Sequence, residues 1–291
     1  MANHPSYIFF GTGHFAEPLL KNLITAGYAP TYIITSPDRP AGRHQVMTPP
    51  RVKVVAEEYS IPVFQPEKLR TPESLAELKT LIDQVDVCVV ADYGKILPQS
   101  LLDLCPKGFL NIHPSLLPLH RGPAPLQATI LSGNNKTGVT IIKIDAEMDH
   151  GPIVAVQHEE IPLESWPCLA SDLCIHMANV GAKLLMDTLP KYVAGEIELI
   201  EQDHDRATYT KMIDKKDAEV SFDDIHNNNL TEIYRKYCAY KDWPEIFFIH
   251  NGKRVKIKKM SLIDGNYSID RVTPEGKKEM GFEEYKNGYV V

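Results

Sequence analysis

Residues 7–26, YIFFGTGHFAEPLLKNLITA, decide the fold. Tyr7–Phe10 is an apolar, aromatic run, Gly11-Thr12-Gly13 interrupts it, and Phe15, Leu19, Leu20 and Leu23 then share one stripe of a helix over Phe15–Ala26. A strand, a glycine turn and a helix open a βαβ unit, and the pattern repeats downstream. Strands are expected at Tyr32–Thr35, Val63–Gln65, Val85–Ala91 and Phe109–His113, with helices at Arg51–Ser60, Ser74–Ile82 and around Leu101–Leu104. The apolar run ending at Ala91 reads as a strand covered on both faces. Alternation at this spacing predicts an α/β domain with a doubly wound, mostly parallel sheet. The loop Ser36–Pro50, with Pro37, Pro40, Pro49 and Pro50, fits no regular element.

The reading extends through a helix at Ala124–Leu131, strands at Gly138–Asp145 and Ile153–Ile161, and a long helix at Leu169–Val193. A polar stretch follows. It divides the 291 residues into a catalytic domain (1–204), a linker (205–224) and a small C-terminal domain (225–291). The last begins with a helix at Leu230–Tyr240. Short strands follow, in which Val255 and Ile257 alternate with Arg254, Lys256 and Lys258. A small, barrel-like β module fits this tail.

The chain carries 31 Lys+Arg and 38 Asp+Glu, a formal net charge of −7. Taken whole, that argues against a nucleic-acid partner. The charge is uneven, however: −9 before Arg206 and +2 from Arg206 onward. Five cysteines, at 88, 105, 168, 174 and 238, occur without any CxxC, which points to a reducing compartment and no metal site. No apolar stretch approaches the ~18 residues of a membrane span, and Met1–Pro5 has no secretory pattern, so a cytoplasmic protein with no membrane partner is expected.

Chemistry concentrates in Asn111-Ile-His113-Pro-Ser115-Leu-Leu-Pro118-Leu-His-Arg121-Gly122. Asn111 and His113 are two apart at a strand end, hence on one face, where ligands sit in doubly wound sheets. An amide and an imidazole side by side can both donate to one developing oxyanion. Asp149, in the turn Asp145-Ala-Glu-Met-Asp149-His-Gly151-Pro152, can face the same strand ends, stabilise an imidazolium and help remove a proton. The same residues also admit structural roles: an Asn-x-His can cap the next turn, and an Asp in a Gly-Pro turn can simply shape it. No G-x-S-x-G nucleophile elbow occurs, so attack by the substrate's own nucleophile on a carbonyl is the chemistry suggested. The Gly11-x-Gly13-x-x-Ala16 turn resembles a dinucleotide fingerprint, but the second strand ends Ile34-Thr35-Ser36-Pro37 without the acidic residue that pattern needs.

The run Asn-x-His-x-Ser-Leu-Leu-Pro-x-x-Arg-Gly, then Thr137-Gly-Val-Thr140, then Asp-x-x-x-Asp-x-Gly, resembles the signature of folate-dependent formyltransferases. Phe10-Gly-Thr, Pro37-Asp-Arg-Pro-Ala-Gly-Arg43, Ala91-x-Tyr-Gly-x-Ile-Leu-Pro98 and Trp243-Pro244 are similar to the branch whose acceptor is methionyl-tRNA. The resemblance implies Asn111, His113 and Asp149 as catalytic residues and 10-formyltetrahydrofolate as formyl donor, with no metal. It implies a folate site on Ser115, Leu116, Leu117, Pro118, Tyr93, Ile96 and Asp145, and initiator methionyl-tRNA as partner of a monomer. Arg39 and Arg43 would reach the acceptor stem. Lys256 and Lys258 lie on a face able to meet phosphates, or simply on a solvated outer face.

Four features depart from that family: Gly13 where proline is usual, His150 beside Asp149, a less basic loop after Arg43, and a tail that looks one or two strands short of an oligonucleotide-binding barrel. Three other readings stay open: a formyltransferase acting on a nucleotide-linked amino sugar or a purine precursor, a non-catalytic RNA-binding relic, and, more remotely, a dehydrogenase.

Overall fold

Alternating strands and helices build a seven-stranded sheet in the computed structural model, which describes residues 4–42 and 45–289. The chain divides into two units. One holds residues 1–125, 136–160 and 174–210, and the other residues 126–135, 161–173 and 211–291. The sequence reading put the first boundary at residue 204. The structure carries the first unit on to Thr210, because Thr208 and Thr210 hydrogen-bond the backbone of Pro118 and Arg121.

The first unit runs β1 (Tyr7–Gly11), α1 (Ala16–Thr25), β2 (Tyr32–Ile34), β3 (Arg39–Ala41), β4 (Val46–Thr48), α2 (Arg51–Glu58), β5 (Val63–Phe64), α3 (Pro72–Ile82), β6 (Val87–Ala91), α4 (Gln99–Leu102) and β7 (Phe109–His113). After α5 (Pro125–Ser132), which apart from Pro125 belongs to the second unit, come β8 (Lys136–Lys143), β9 (Ile153–Glu160) and α6 (Ala170–Ala194), whose residues from Cys174 on belong to the first. The large sheet has the order β5-β2-β1-β6-β7-β8-β9. Its first five strands are parallel, and β8 and β9 join antiparallel. All five residues of β1 and of β6 are buried, as strands covered by helices on both faces require. The chain winds outward from β1 to β5 and returns to β6, so strand order reverses at β1/β6, the crevice where such sheets bind ligands.

Ser36–Pro50 is not a featureless loop. Arg39–Ala41 and Val46–Thr48 pair as an antiparallel ribbon, with Pro40 opposite Met47. All six strand residues are exposed, so no buried face imposes the alternation that would have revealed them. The ribbon is rooted at Asp38, which takes hydrogen bonds from Gln65 and Lys53; these hold its carboxyl below the usual range.

The turn after β1 explains Gly13. Thr12 and Gly13 both donate their N–H groups to the Asp92 carbonyl, and the Asp92 carboxylate accepts from the Phe15 N–H at 3.0 Å, at the start of α1. Burial pushes the Asp92 carboxyl up, against the Phe15 N–H and nearby His14, which pull it down. A Cβ at position 13 would lie 2.0 Å from the Asp92 carboxylate, so only glycine fits beneath it.

The second unit carries α7 (Phe222–His226), α8 (Leu230–Tyr240), β10 (Phe247–His250), β11 (Lys253–Ile263), β12 (Asn266–Pro274), β13 (Met280–Gly281) and α9 (Phe282–Tyr289). The strands form one antiparallel sheet in the order β10-β11-β12-β13. On β11, Val255 and Ile257 are buried while Arg254, Lys256 and Lys258 face away from that core. A bulge follows at Ile257–Met260.

Gly13→Ala should destabilise the first unit by about 1–3 kcal/mol, the usual cost of overpacking. Combined with Asp92→Ala, which clears the same space, it should cost less than the two single losses added. Urea unfolding of the four proteins measures this, and strictly additive losses would refute the shared space.

Candidate active site

Pairing of β7 with β8 fixes the site. Asn111 lies opposite Ile142 and His113 opposite Thr140, so the two polar side chains emerge on one face, as their spacing predicts. Thr140 fastens the segment after β7: its hydroxyl donates to the Ser115 carbonyl at 2.7 Å and accepts from the Leu117 N–H at 3.1 Å. Beyond β8 the chain turns through Asp145–Pro152 and comes back as β9. This turn presses on the strand it leaves: the Lys143 N–H donates to the Pro152 carbonyl, and a Cβ at Gly151 would fall 1.9 Å from the Lys143 carbonyl oxygen.

The turn carries Asp149 to Asn111 and His113. Asn111 Nδ2 donates to Asp149 Oδ1 at 3.1 Å, and His113 Nδ1 stands 3.7 Å from Asp149 Oδ2. The Gly122 N–H donates to Asp149 Oδ2 at 2.7 Å, so the carboxylate is gripped through both oxygens. His113 is 5% exposed, and its Nε2 lies 3.0 Å from the His120 carbonyl, which can only accept; Nε2 therefore carries a hydrogen. His120 is itself held below the ordinary histidine range, by burial and then by His113. Asp149 adopts φ +52°, a left-handed conformation that a non-glycine residue keeps only when its surroundings impose it.

A second layer imposes it. Gln202 Nε2 donates to the carbonyls of Asp149 (2.9 Å) and Gly151 (2.8 Å), while Gln202 Oε1 accepts from Arg121 Nε (3.2 Å) and Nη2 (2.8 Å). Arg121, 1% exposed, also donates to the Tyr209 hydroxyl (3.1 Å) and to His204 Nδ1 (2.8 Å). The His204 ring stacks on His150 at 4.1 Å and 6°, and His150 Nδ1 lies 2.7 Å from Asp145 Oδ2. His150 is thus built into the support of the turn. The sequence reading quoted Arg121 without a role and passed over Gln202 and His204. Only the Arg-Gly pair carried a local signal, and Gln202 lies 53 residues from the carboxylate it serves.

The other sequence-predicted residues fall as follows. Ser115 is fully buried and its hydroxyl donates to the Leu119 carbonyl at 2.7 Å. Leu117 is buried, Leu116 is partly exposed, and the Pro118 carbonyl accepts from Thr208. Tyr93 is buried edge-on against Phe10, its hydroxyl has no hydrogen-bond partner among the described residues, and burial raises its phenol well above the usual range. Ile96 stands 79% exposed. Arg39 pairs with Glu67 at 3.0 Å, and Arg43 lies outside the described residues. In the second unit, Lys256 and Lys258 both pair with Glu245. Burial alone would raise that carboxyl, but the two lysines overcome it and hold it below the usual range. They line a cavity of about 720 Å³ with Arg254, Lys277 and Thr273. Among the described residues no cluster of three or more His, Cys, Asp or Glu could hold a metal, and no helix is long and apolar enough to cross a membrane.

Residues 6–165 match the formyl transferase family and residues 212–268 match the formyl transferase C-terminal domain. The methionyl-tRNA formyltransferase of Chloroflexus aggregans is 44% identical over 250 residues, 86% of this chain and 78% of its own length. That of Caldicellulosiruptor saccharolyticus is 34% identical over 98% of this chain and 97% of its own. Among solved structures, a methionyl-tRNA formyltransferase from Clostridium thermocellum shares the fold at TM-score 0.61 and 16% identity, over 92% of this chain and 98% of that one. HypX from Aquifex aeolicus, in complex with tetrahydrofolic acid, shares it at TM-score 0.64 and 13% identity, over 99% of this chain and 48% of HypX. With both domains matched and these identities along most of its length, the chain belongs to the formyl transferase family, in the methionyl-tRNA formyltransferase branch.

Proposed function

We propose that the protein transfers the formyl group of 10-formyltetrahydrofolate to the α-amino group of methionyl initiator tRNA. The observation that carries this reading is Asp149, gripped between the Asn111 amide and the Gly122 N–H and facing His113 at the end of β7. Family membership supplies the reaction class.

The folate derivative supplies an acyl carbon bearing a good leaving nitrogen. The loop after β6 suits its apolar ring system: Ile96 offers an exposed apolar side chain, and Tyr93 a buried hydroxyl in need of a partner. The α-amino group has a reference pKa of about 7.7–8.0, against about 10.4 for lysine, so a neutral, nucleophilic fraction is present near pH 7. As the amine attacks, negative charge grows on the formyl oxygen. The Asn111 amide carries two hydrogens, of which one is on Asp149; the other, with the Nδ1–H of a doubly protonated His113 whose Nε2–H stays on the His120 carbonyl, stabilises that oxygen. Asp149 receives the proton the amine must lose, and its two hydrogen bonds keep it oriented while it does so; as the oxyanion collapses, the bond from the formyl carbon to the donor nitrogen breaks and that nitrogen takes the proton back from Asp149, leaving as tetrahydrofolate.

In the second unit, Arg254, Lys256, Lys258 and Lys277 around one cavity suit a phosphate backbone, with Glu245 competing for two of the lysines. Arg39 and Arg43 supply positive charge for the acceptor stem.

Incubation with 10-formyltetrahydrofolate and methionyl initiator tRNA should yield formyl-methionine; transfer to a nucleotide-linked amino sugar instead would overturn the acceptor. Asp149→Asn should lower kcat by at least the ~10²–10³-fold lost with a single oxyanion donor, with folate affinity changed less than about twofold. Retained turnover would remove Asp149 from the chemistry. Lys256→Gln and Lys258→Gln should each reduce the slope of log K for tRNA against log salt by about 1. Glu245→Gln should strengthen binding, and salt slopes unchanged in all three variants would show that this face meets no phosphate.

A further inference from the structure

We infer that Gln202 is a positioning residue for formyl transfer: it holds the turn bearing Asp149 in its left-handed conformation and is itself held by the buried guanidinium of Arg121. The inference rests on the reading of Asp149 as the proton-accepting carboxylate.

Gln202 is 4% exposed, and its amide makes four hydrogen bonds. Their arrangement calls for a primary amide. Arg121 can only donate, so it needs an acceptor; the Asp149 and Gly151 carbonyls can only accept, so they need donors. A primary amide presents both at the ends of one planar group, and its partners fix which way round it sits. Glutamate would satisfy the arginine and set a carboxylate against two carbonyl oxygens. Methionine, of similar length, would satisfy neither side.

The two carbonyls it clamps bracket His150 and belong to the residue that carries the carboxylate and to the glycine pressed on Lys143. Asp149 at φ +52° has two soft ways to relax: its backbone can rotate out of the left-handed region, or the turn can lift off Lys143. Gln202 opposes both. The base of the clamp is firm, because Arg121 is tied through its backbone to Thr208 and Thr210 and through its side chain to Tyr209 and His204. A guanidinium with no acceptor of its own fixes His204 with Nδ1 as acceptor, and the stacked His150 then reaches Asp145 at the far end of the turn. Among the described residues Gln202 hydrogen-bonds neither Asn111 nor His113, and it acts on the reaction through Asp149.

The test compares Gln202→Met and Gln202→Glu with the parent protein, alone and in an Asp149→Asn background. With Asp149 present, both variants should lose about 10²-fold in kcat, the scale for a catalytic group displaced by ~1 Å, with KM for the folate donor within about twofold. Gln202→Glu should lose at least as much activity as Gln202→Met, yet unfold at a temperature no lower, because it keeps the acceptor for Arg121. In the Asp149→Asn background, measured by single turnover, either change should cost less than about threefold, since the group being positioned is gone. Losses that multiply across the two sites, or activity that simply tracks the unfolding temperature, would overturn the inference. Near-normal turnover of Asp149→Asn by itself would instead overturn the underlying reading of Asp149.

Discussion

A positive charge without a carboxylate lies under the candidate site. Arg121 is 1% exposed, and its described hydrogen-bond partners are an amide, a phenol and an imidazole. Burying an ionised group is costly unless its hydrogen bonds are met. Four of the five guanidinium hydrogens are met by these neutral acceptors. The constraint runs outward in every direction: it fixes the Gln202 amide orientation, the His204 tautomer and, through the backbone at Thr208 and Thr210, the course of residues 205–210. A carboxylate partner would neutralise the charge with less machinery. Neutral partners instead spend the guanidinium's donors on ordering the residues that support the turn carrying Asp149.

The two units solve the problem of local charge in opposite ways. In the first, positive charge is buried and used to order a turn. In the second, Lys256 and Lys258 stay near the surface and are held by one partly buried carboxylate, Glu245, which follows Trp243-Pro244. A paired lysine gives up its partner to a phosphate more readily than a buried one gives up its shell, because surface pairs contribute only about 0–1 kcal/mol. The arrangement therefore keeps a basic face ordered while leaving it exchangeable. It also accounts for how an acidic protein of net charge −7 can present a basic cavity: the positive groups are few, and their position matters more than their sum.

The parts of this fold legible in the sequence are those where burial imposes a period. Val87–Ala91 is continuous and apolar because helices cover both faces, and Asn111 and His113 share a face because a strand repeats every two residues. The ribbon Arg39–Ala41 with Val46–Thr48 was not legible, since all six residues are exposed and any pattern of side chains would serve. Gln202 was not legible for a different reason. Its role depends on the carbonyls of Asp149 and Gly151 and on a guanidinium 81 residues away, and a lone glutamine in a polar stretch announces none of them. Glu245 is similar: the lysines it holds advertise themselves as a basic strand, while their partner sits in a turn. Resemblance to a family named the candidate reacting groups, and the structure was needed to show what surrounds and holds them.

The glycine turn after β1 shows how a local departure can be compensated at a distance. Where the family tends to place a proline, this chain has Gly13, which on its own would loosen the turn by enlarging the conformational freedom of the unfolded chain. Asp92 answers it. Its carbonyl fixes the N–H groups of Thr12 and Gly13, and its carboxylate fixes the N–H of Phe15. The carboxylate also occupies the space that a side chain at position 13 would need. Proline at 13 could neither donate to the Asp92 carbonyl nor fit under the carboxylate, and alanine at 92 would keep the carbonyl that holds the glycine turn but leave the Phe15 N–H at the start of α1 without its acceptor. Residues 13 and 92 are therefore coupled in this chain, through one small space and through the hydrogen bonds that Asp92 makes to the turn and to the start of α1.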